Sequence, residues 1–198
     1  MAKRLFDLLG ACIALALLAP LLLGVALAIR LDSPGPVFFR QLRVGRSGVP
    51  FRIHKFRTMR IDAPALGPAV TVGQDPRITR IGHVLRHYRI DELPQFIDVL
   101  LGRMSLVGPR PEVPKFVAVY PAELKAKVLA VRPGLTDPAA LAHIDEAALL
   151  AAAADPEREY IEHILPRKLA LQAEYAAQAT LWSDLVVLGR TLQVLLSR

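Results

Sequence analysis

The feature that most constrains this chain is a long apolar run near its start. No charged side chain occurs from Leu8 to Ile29, a stretch of about 22 residues. At about 1.5 Å rise per residue, a helix of that length covers roughly 33 Å, which is enough to cross the hydrocarbon core of a bilayer. The run therefore predicts a membrane-embedded helix.

Basic residues flank this apolar run on both sides. Lys3 and Arg4 precede it, and Arg30 follows it directly. Cationic flanks favour the cytoplasmic face of a membrane, so a straight crossing satisfies only one of the two flanks. Pro20, near the middle of the run, lacks an N–H group and breaks or kinks a helix. The pattern therefore favours a re-entrant helix-break-helix hairpin over residues 1–30.

Three other interpretations of the run stay open. A helix kinked at Pro20 can cross the bilayer once. A cleaved signal peptide is the second, because Ala26-Leu27-Ala28 resembles a cleavage site. The buried helix of a soluble protein is the third, although the length and purity of the run disfavour it. The hairpin interpretation makes residues 31–198 one domain on the cytoplasmic side.

The composition predicts a single domain with an anionic partner. The chain has 198 residues and a formal net charge of +7. Such a basic surplus suits phosphate groups, anionic lipid headgroups or nucleic acid. The sequence contains no zinc-finger spacing, aromatic-basic RNA motif or clear helix-turn-helix pattern, so nucleic acid is not expected. The only cysteine, Cys12, lies in the apolar run, which fits a reducing compartment.

Beyond the anchor, the residue patterns predict an α+β domain that is mostly helical. The predicted elements are strands at 37–39 and 51–56 joined as a short β-hairpin through 45–50, helices at 78–89 and 92–101, a partly helical stretch at 113–130, and helices from 145 onward with a break near 155–156. Loops are expected at 61–76 and 105–111. The last segment, 182–196, is amphipathic, which suits either packing on the core or an interfacial helix lying on the membrane.

Two adjacent carboxylates, Asp91 and Glu92, stand at a predicted helix start and are the sharpest candidate for chemistry. We expect Asp91 to be the N-cap, where unsatisfied N–H groups and the helix dipole keep a carboxylate ionised. Consecutive helical side chains point about 100° apart, so the two acids address different groups. One could bind a metal or act as a nucleophile while the other handles a proton. Helix capping alone is the simpler explanation of the pair.

Basic side chains near these carboxylates in the sequence suggest phosphate binding. Pro109 and Pro111 flank Arg110 and restrict its backbone, and a guanidinium held in this way suits two-point binding of phosphate. A solvated or lipid-facing surface explains the other basic residues equally well. These are Lys55, Arg57, Arg60, Arg77, Arg80, Arg86 and Arg89. His83 and His87, four residues apart, could bind a metal, although such pairs are more often surface features.

Six segments of the chain occur in an order that is informative as a whole. They are a Lys-Arg pair with its Pro-broken apolar helix, Lys55-Phe56-Arg57-Thr58-Met59, Asp75-Pro76-Arg77-Ile78-Thr79-Arg80, Asp91-Glu92-Leu93-Pro94-Gln95, Met104-Ser105-Leu106-Val107-Gly108-Pro109-Arg110-Pro111 and Val131-Arg132-Pro133-Gly134-Leu135-Thr136. In this order they resemble the bacterial sugar transferases, the small monotopic polyprenyl-phosphate phosphoglycosyl transferases. The resemblance extends from near residue 1 to about residue 136.

This resemblance implies a reaction and its residues. A phospho-sugar would pass from a UDP-sugar to undecaprenyl phosphate with release of UMP, which initiates lipid-linked surface glycan synthesis. Asp91 would be the nucleophile, forming a covalent aspartyl-phosphosugar and contacting Mg²⁺, and Glu92 would complete the dyad. The residues implied for nucleotide and phosphate binding are Lys55, Arg86, Pro109, Arg110 and Pro111.

The resemblance also implies a location and partners. The expected location is the bacterial inner membrane, with a re-entrant anchor at 1–30 and the catalytic domain, 31–198, on the cytoplasmic face. The expected partners are a UDP-sugar, undecaprenyl phosphate and membrane lipid, with no nucleic acid, and a homodimer stays open.

The chain departs from the family pattern at two places. Asp137-Pro138-Ala139-Ala140-Leu141 stands where many members continue with Gly-Leu-Trp-Gln, and Asp98 stands where Asn is frequent. The first departure leaves the identity of the sugar open. Two other functions also stay open. A non-catalytic membrane adaptor would tolerate Asp91→Asn, and a membrane-tethered DNA-binding protein is supported only by the net charge.

Overall fold

The computed structural model describes residues 1–66, 75–142 and 146–196, which are mostly helical, as the sequence predicts. The α-helices of these ranges are α1 Ala2–Asp32, α2 Ala63–Leu66, α3 Arg80–His87, α4 Phe96–Leu100, α5 Pro114–Ala118, α6 Ala122–Val128, α7 Pro138–Leu141, α8 Glu146–Ala152, α9 Pro156–Glu159, α10 Leu165–Gln178 and α11 Leu181–Leu196. The strands are β1 Phe38–Phe39, β2 Leu42–Val44, β3 Pro50–Arg52, β4 Lys55–Phe56, β5 Ser105–Val107 and β6 Gly134–Thr136. Two 3₁₀ helices, Arg46–Gly48 and Ile90–Gln95, and a π-helix, Tyr160–Ile164, complete the set.

Helix α1 is one continuous helix that contains Pro20. The re-entrant hairpin predicted for residues 1–30 is therefore not confirmed by the path of the backbone. The Leu and Ala residues around Pro20 are strong helix formers, so the helix continues on both sides of the proline. Among the described residues, α1 is the one helix that is long and apolar enough to cross a membrane. Only 11% of its most apolar window is buried, which is unlike the core helix of a soluble protein.

The N-terminal end of α1 is bound to the domain by polar side chains. The guanidinium of Arg4 donates to the carbonyl oxygens of Val99, at 2.7 Å, and Leu100, at 3.0 Å. The buried carboxylate of Asp7 accepts from the Ser105 hydroxyl at 2.9 Å and from the Leu106 amide at 3.0 Å. These bonds satisfy the last carbonyls of α4 and fix the start of the anchor on β5.

The C-terminal end of α1 packs against the same domain through apolar contacts. Val25 and Ile29 form a buried cluster with Phe56 of β4 and Leu85 of α3. Beyond the helix, the Arg57 guanidinium donates to both the hydroxyl and the carbonyl oxygen of Ser33. Residues at both ends of the apolar run therefore lie on one folded unit.

The predicted β-hairpin is confirmed, with a finer structure than expected. Strands β2 and β3 pair antiparallel around the Arg46–Gly48 turn, and β1 pairs with β4 outside them. The stretch 42–44 was not predicted to be a strand, because its alternation is too short to recognise. The expected long strand 51–56 is interrupted at His54, whose amide donates to the Asp98 carboxylate at 2.7 Å instead of to a neighbouring strand.

Segment 105–111, predicted to be non-helical, contains strand β5, which pairs in parallel with β6. The two strands approach so closely that glycine is needed beside them. A Cβ atom at Gly108 would overlap the carbonyl oxygen of Arg132 and lie 3.0 Å from the amide nitrogen of Gly134. This pair places the segment after β5 beside the start of α7.

The predicted helices are present with shifted bounds, and the first part of the predicted 92–101 helix is the 3₁₀ helix Ile90–Gln95, which α4 continues. The 78–89 helix is shorter, because Thr79 is the N-cap and accepts from the Gly82 amide at 3.1 Å. The partly helical 113–130 stretch is two short helices, α5 and α6, and the break near 155–156 separates α8 from α9. In the expected loop 61–76, residues 63–66 form helix α2, and positions 67–74 lie outside the described residues, as does His143.

For residues 182–196 the sequence left two alternatives open, packing on the core or lying on the membrane, and helix α11 has features that suit both. Its Val187 side packs into a core cluster, whereas Trp182, Leu185 and Leu192 are exposed. The helix thus packs on the domain and also presents an apolar face. Positions 197–198 lie outside the described residues.

Candidate active site

The paired carboxylates lie on a 3₁₀ helix whose entry is set by an unusual backbone conformation. Arg89 adopts φ 54° and ψ 23°, in the left-handed region that non-glycine residues rarely occupy. The turn at Arg89 lies between α3 and the 3₁₀ helix. On that 3₁₀ helix both Asp91 and Glu92 are buried. The expectation that Asp91 is the N-cap is wrong, because Arg89 occupies that position.

Lys55 of β4 bridges the two carboxylates. Its ammonium nitrogen lies 2.8 Å from Asp91 Oδ2 and 3.3 Å from Glu92 Oε1. One cation between two buried anions reduces the repulsion between them. The structure therefore brings the Lys55 strand and the dyad, predicted separately from the sequence, into direct contact.

Arg110 binds Glu92 through two nitrogen atoms. Its Nη1 donates to Glu92 Oε2 at 3.1 Å, and its Nη2 contacts Glu92 Oε1. The guanidinium of Arg89 adds a longer ion pair, 3.7 Å from Glu92 Oε2. The Arg110 side chain keeps 30% of its surface exposed, so an anion can reach this side chain from outside.

The charges in this cluster stabilise one another. Burial by itself raises the pKa of Glu92. The positive charges of Arg110 and Lys55 together lower the pKa by more than burial raises it, so the pKa lies well below its ordinary value. The negative charge of Glu92 in turn raises the pKa of Arg110 above its usual value. Glu92 is therefore ionised at neutral pH and cannot donate a proton there.

The main chain around Arg110 is fixed by more than its two prolines. Three main-chain groups of the segment have partners: Gly134 N donates to Pro109 O at 2.9 Å, Arg110 N donates to Asp137 Oδ2 at 2.9 Å, and Arg43 Nη1 donates to Pro111 O at 2.9 Å. Pro109 and Pro111 are themselves buried. The guanidinium thus extends from a backbone with little freedom, as the flanking prolines suggest.

Arg86 occupies a different environment. It lies half-buried on α3, and its charge helps to lower the pKa of Asp75. The main cause of that shift is the Arg77 side chain, whose hydrogen bonds hold the pKa of Asp75 at about 2. The role expected for Arg86 in phosphate binding stays a prediction.

The residues around the dyad fit a magnesium ion that is shared with a substrate. Mg²⁺ typically binds one or two protein carboxylates together with substrate phosphates, rather than a complete protein cage. Asp91 supplies such a carboxylate, and within the described ranges no group of three or more metal-ligating side chains occurs. His83 and His87 are exposed on α3 and belong to no such group. The role expected for Asp91 as a Mg²⁺ ligand stays a prediction.

Sequence reasoning missed the residues that support the site from behind. Asp137 accepts from Arg110 N and from Gln172 Nε2, at 2.7 Å, and it also caps α7. Asp98 binds His54, the residue before Lys55. Both acids had been recognised only as departures from a family pattern. Their partners lie 27 and 44 residues away, so no local spacing could have assigned them a role.

Comparison with known proteins links the whole chain to one family. The family model described as bacterial sugar transferase matches residues 1–198. A UDP-N-acetylgalactosamine-undecaprenyl-phosphate N-acetylgalactosaminephosphotransferase from Aeromonas hydrophila is 41% identical over 197 residues, which cover 98% of this chain and 44% of that protein. A UDP-glucose:undecaprenyl-phosphate glucose-1-phosphate transferase from Caulobacter vibrioides is 41% identical over 199 residues, covering 98% of this chain and 70% of that protein.

A third relative is similar over a shorter region. The exopolysaccharide production protein PSS from Rhizobium leguminosarum is 56% identical over 109 residues, which cover 54% of each chain. The chain thus spans between 44% and 70% of the length of these three relatives.

Proposed function

Because the chain belongs to the bacterial sugar transferase family, we propose that it transfers a sugar 1-phosphate from a UDP-sugar to undecaprenyl phosphate and releases UMP. The observation that carries the proposal is the buried Asp91–Glu92 pair held by Lys55 and Arg110, in a chain matched over its full length by the family model. The two relatives matched over 98% of this chain are named for this type of transfer, with different sugars.

In this proposal Asp91 is the nucleophile. Since Lys55 contacts Oδ2, Oδ1 is the oxygen that attacks the phosphorus bearing the sugar. A bond forms between Oδ1 and phosphorus, and the bond from phosphorus to the bridging oxygen breaks. UMP leaves with that electron pair. An oxygen of undecaprenyl phosphate then attacks the same phosphorus, and the bond to Asp91 breaks, which regenerates the carboxylate.

The cations around the dyad make attack by a carboxylate on a diphosphate feasible. Lys55 lowers the repulsion between the nucleophile and the phosphate oxygens, and the partly exposed side chain of Arg110 binds those oxygens. Glu92 holds Arg110 in place through its two-point pair. Asp91 would hold Mg²⁺, which would supply further charge neutralisation.

The contacts of α1 support a re-entrant anchor, and the basic flanks Lys3, Arg4 and Arg30 favour the cytoplasmic face of the inner membrane for the catalytic domain. Arg4 and Ile29, near the two ends of the apolar run, bind the same small domain. A spanning helix would instead place about 30 Å of hydrocarbon between its two ends. The outward faces of the helix are apolar, with Leu9, Ile13 and Leu17 exposed in the first half. A return to the same face requires α1, which is continuous through Pro20, to bend at that proline inside one leaflet.

The reaction is tested by measuring UMP release from a panel of UDP-sugars, with undecaprenyl phosphate, Mg²⁺ and enzyme in lipid. One donor is expected to support turnover, and Asp91→Asn to abolish it without loss of fold. Incubation with the donor alone should increase the intact mass by one phospho-sugar. Asp62→Asn, an exposed acid paired with Arg60, is the matched control and should keep full activity. No UMP with any donor, or a fully active Asp91→Asn enzyme, would overturn the proposal.

The topology is tested by labelling single cysteines at the two ends of the anchor. The exposed native thiol is first removed as Cys12→Ser, and the labelling sites are Ala2→Cys and Pro34→Cys. An impermeant reagent should label both sites only from the cytoplasmic side. Labelling of the two sites from opposite sides would show a spanning helix.

A further inference from the structure

We propose that Asp98 is a positioning residue for the transfer reaction, acting through His54 on Lys55 and hence on Asp91. The proposal rests on the proposed role of Asp91 as nucleophile. It concerns the part of the site that lies behind Lys55, on the side away from the dyad.

Asp98 is fully buried on α4, with 0% of its surface exposed, and both its oxygen atoms bind His54. Oδ2 accepts from the His54 amide at 2.7 Å, and Oδ1 lies 2.8 Å from the His54 Nδ1 atom. An ionised carboxylate can only accept, so the imidazole carries a proton on Nδ1. One side chain therefore fixes both the main chain and the ring of His54.

This contact joins the two segments that meet at the dyad. His54 directly precedes Lys55, and α4 continues directly from the 3₁₀ helix that carries Asp91 and Glu92. The same two segments are thus linked twice, by Lys55 to the dyad and by His54 to Asp98. Two links on adjacent residues hold the Lys55 ammonium at one position relative to Asp91.

The charge of Asp98 is balanced without using the site's own cations. Arg103 places its Nη1 3.8 Å from Asp98 Oδ1. The amides of Arg103 and Met104 both donate to the Asp98 carbonyl oxygen, at 3.0 and 3.1 Å, which closes the end of α4. Lys55 therefore stays available to the dyad, because another cation serves the acid behind it.

An asparagine at position 98 could perform only part of this role. Its single carbonyl oxygen can accept from the His54 amide, while its NH₂ group meets the ring nitrogen as a donor. The imidazole would then need the other tautomer. Asp98→Asn should therefore keep the main-chain bond and restore part of what Asp98→Ala loses.

The test compares Asp98→Ala, Asp98→Asn and Asp184→Ala. Asp184 is the matched control, because it is also 0% exposed and hydrogen-bonded, but its partners Tyr175 and Lys3 are not residues of the dyad. The rate of the Asp91 adduct is measured by intact mass in a single turnover, together with donor KM and thermal stability. Outer-shell hydrogen-bond partners at metal sites contribute about 10- to 100-fold to activity, and we expect an effect of that order for this partner of the Lys55 segment.

Asp98→Ala is expected to slow adduct formation by about tenfold or more, with donor KM within threefold of wild type and partial recovery in Asp98→Asn. Asp184→Ala should lose stability but keep the adduct rate. A wild-type rate in Asp98→Ala, or equal slowing in Asp184→Ala, would overturn the inference.

Amide hydrogen exchange at residues 54–56 tests, without substrate, whether Asp98 fixes the main chain around His54 and Lys55. It should accelerate in Asp98→Ala and stay unchanged in Asp184→Ala. Unchanged exchange in Asp98→Ala would refute the positioning role even if no donor is found. Absence of an adduct in the wild-type enzyme would refute the proposed function instead, so the two failures are distinguishable.

Discussion

Arg110 and Glu92 form a two-point ion pair between segments 18 residues apart. Nη1 lies 3.1 Å from Oε2, and Nη2 contacts Oε1. Since the backbone of Arg110 is fixed on both sides, the pair defines where the guanidinium points and keeps Glu92 ionised. The geometry requires a planar group with two parallel donors, which only arginine supplies.

Arg110→Lys should therefore reduce kcat/KM even though the charge is kept. A lysine ammonium cannot make the two-point contact, and one hydrogen bond to a charged group contributes about 1.5–3 kcal/mol, or roughly 10- to 100-fold in rate. UMP release measures the loss. Arg158→Lys is the control, because Arg158 is exposed and pairs with Glu162 at 2.8 Å, and it should stay within twofold. An unimpaired Arg110→Lys enzyme would contradict the interpretation of the pair.

Lys55→Met should make stability less dependent on pH in acid. The pKa of Glu92 is lowered in the folded state, so its ionised form stabilises the fold above the unfolded value, near 4.5, and this stabilisation is lost as pH falls through the folded pKa. Removing Lys55 raises the folded pKa of Glu92 towards the unfolded value. The destabilisation by Lys55→Met should therefore be full at neutral pH and shrink once pH falls below the folded pKa of Glu92 in the variant, which lies between its wild-type folded value and about 4.5.

Urea unfolding in detergent between pH 3 and 7 measures this dependence. Lys115→Met provides the comparison, because Lys115 also pairs with a carboxylate, that of Glu157, but both side chains are largely exposed. Exposed pairs contribute about 0–1 kcal/mol, so this variant should change stability little at any pH. A pH-independent loss in Lys55→Met would argue against its effect on Glu92.

Tyr175→Phe should destabilise the contact between the C-terminal helices and the start of the anchor. The Tyr175 hydroxyl donates to Asp184 Oδ1 at 2.5 Å, and Lys3 pairs with the other oxygen of this buried acid. Burial and this hydrogen bond raise the pKa of Tyr175 above its ordinary value, so the donor stays protonated. Removing one donor from this buried carboxylate should lower the free energy of unfolding by about 1–3 kcal/mol.

Unfolding in detergent measures the effect of Tyr175→Phe. Tyr88→Phe, at an exposed position, should stay within about 0.5 kcal/mol of the wild type. Equal stability of the two variants would show that the bond to Asp184 contributes nothing.

Gly108→Ala and Gly189→Ala should change stability in opposite directions. A Cβ at Gly108 would overlap the Arg132 carbonyl oxygen, and backbone cannot move away as a side chain can. We expect the free energy of unfolding to fall by about 2 kcal/mol or more, together with lower activity, since Arg110 follows two residues later.

At Gly189, in α11, a Cβ meets nothing within 4 Å. There alanine should gain about 0.5–1 kcal/mol from its higher helix propensity. Thermal unfolding distinguishes the two, and a stabilised Gly108→Ala protein would contradict the close approach of β5 and β6.

The anchor helix and the β-hairpin could be predicted because their signals are local. About 22 uncharged residues predict one long apolar helix, and the turn at 45–50 lies between two strands that pair antiparallel. The same patterns failed where burial depends on neighbours. Val84 and Tyr88 share the helical spacing of Ile81 and Leu85 but are exposed, because the domain packs on the side of α3 that carries Gly82 and Leu85.

The candidate site shows the same division between local and long-range information. The prolines around Arg110 and the adjacent acids at 91 and 92 are visible in the sequence, and so is the chemistry that such groups favour. Their meeting with Lys55 is not, since it depends on how three separate segments fold together. Nor could spacing show that Arg89, in a left-handed conformation, starts the helix in place of Asp91.

The sequence by itself determined the local conformations and the types of charge that this protein carries, because helix length, turn formation and side-chain chemistry depend on residues close together in the chain. Tertiary structure alone decided which charges face each other. Asp98 accepts from the amide of His54, 44 residues away, and Asp137 accepts from the amide of Arg110, 27 residues away. Such pairs form only after apolar packing has brought distant segments together, since hydrogen bonds act over about 3 Å and the sequence contains no record of that distance.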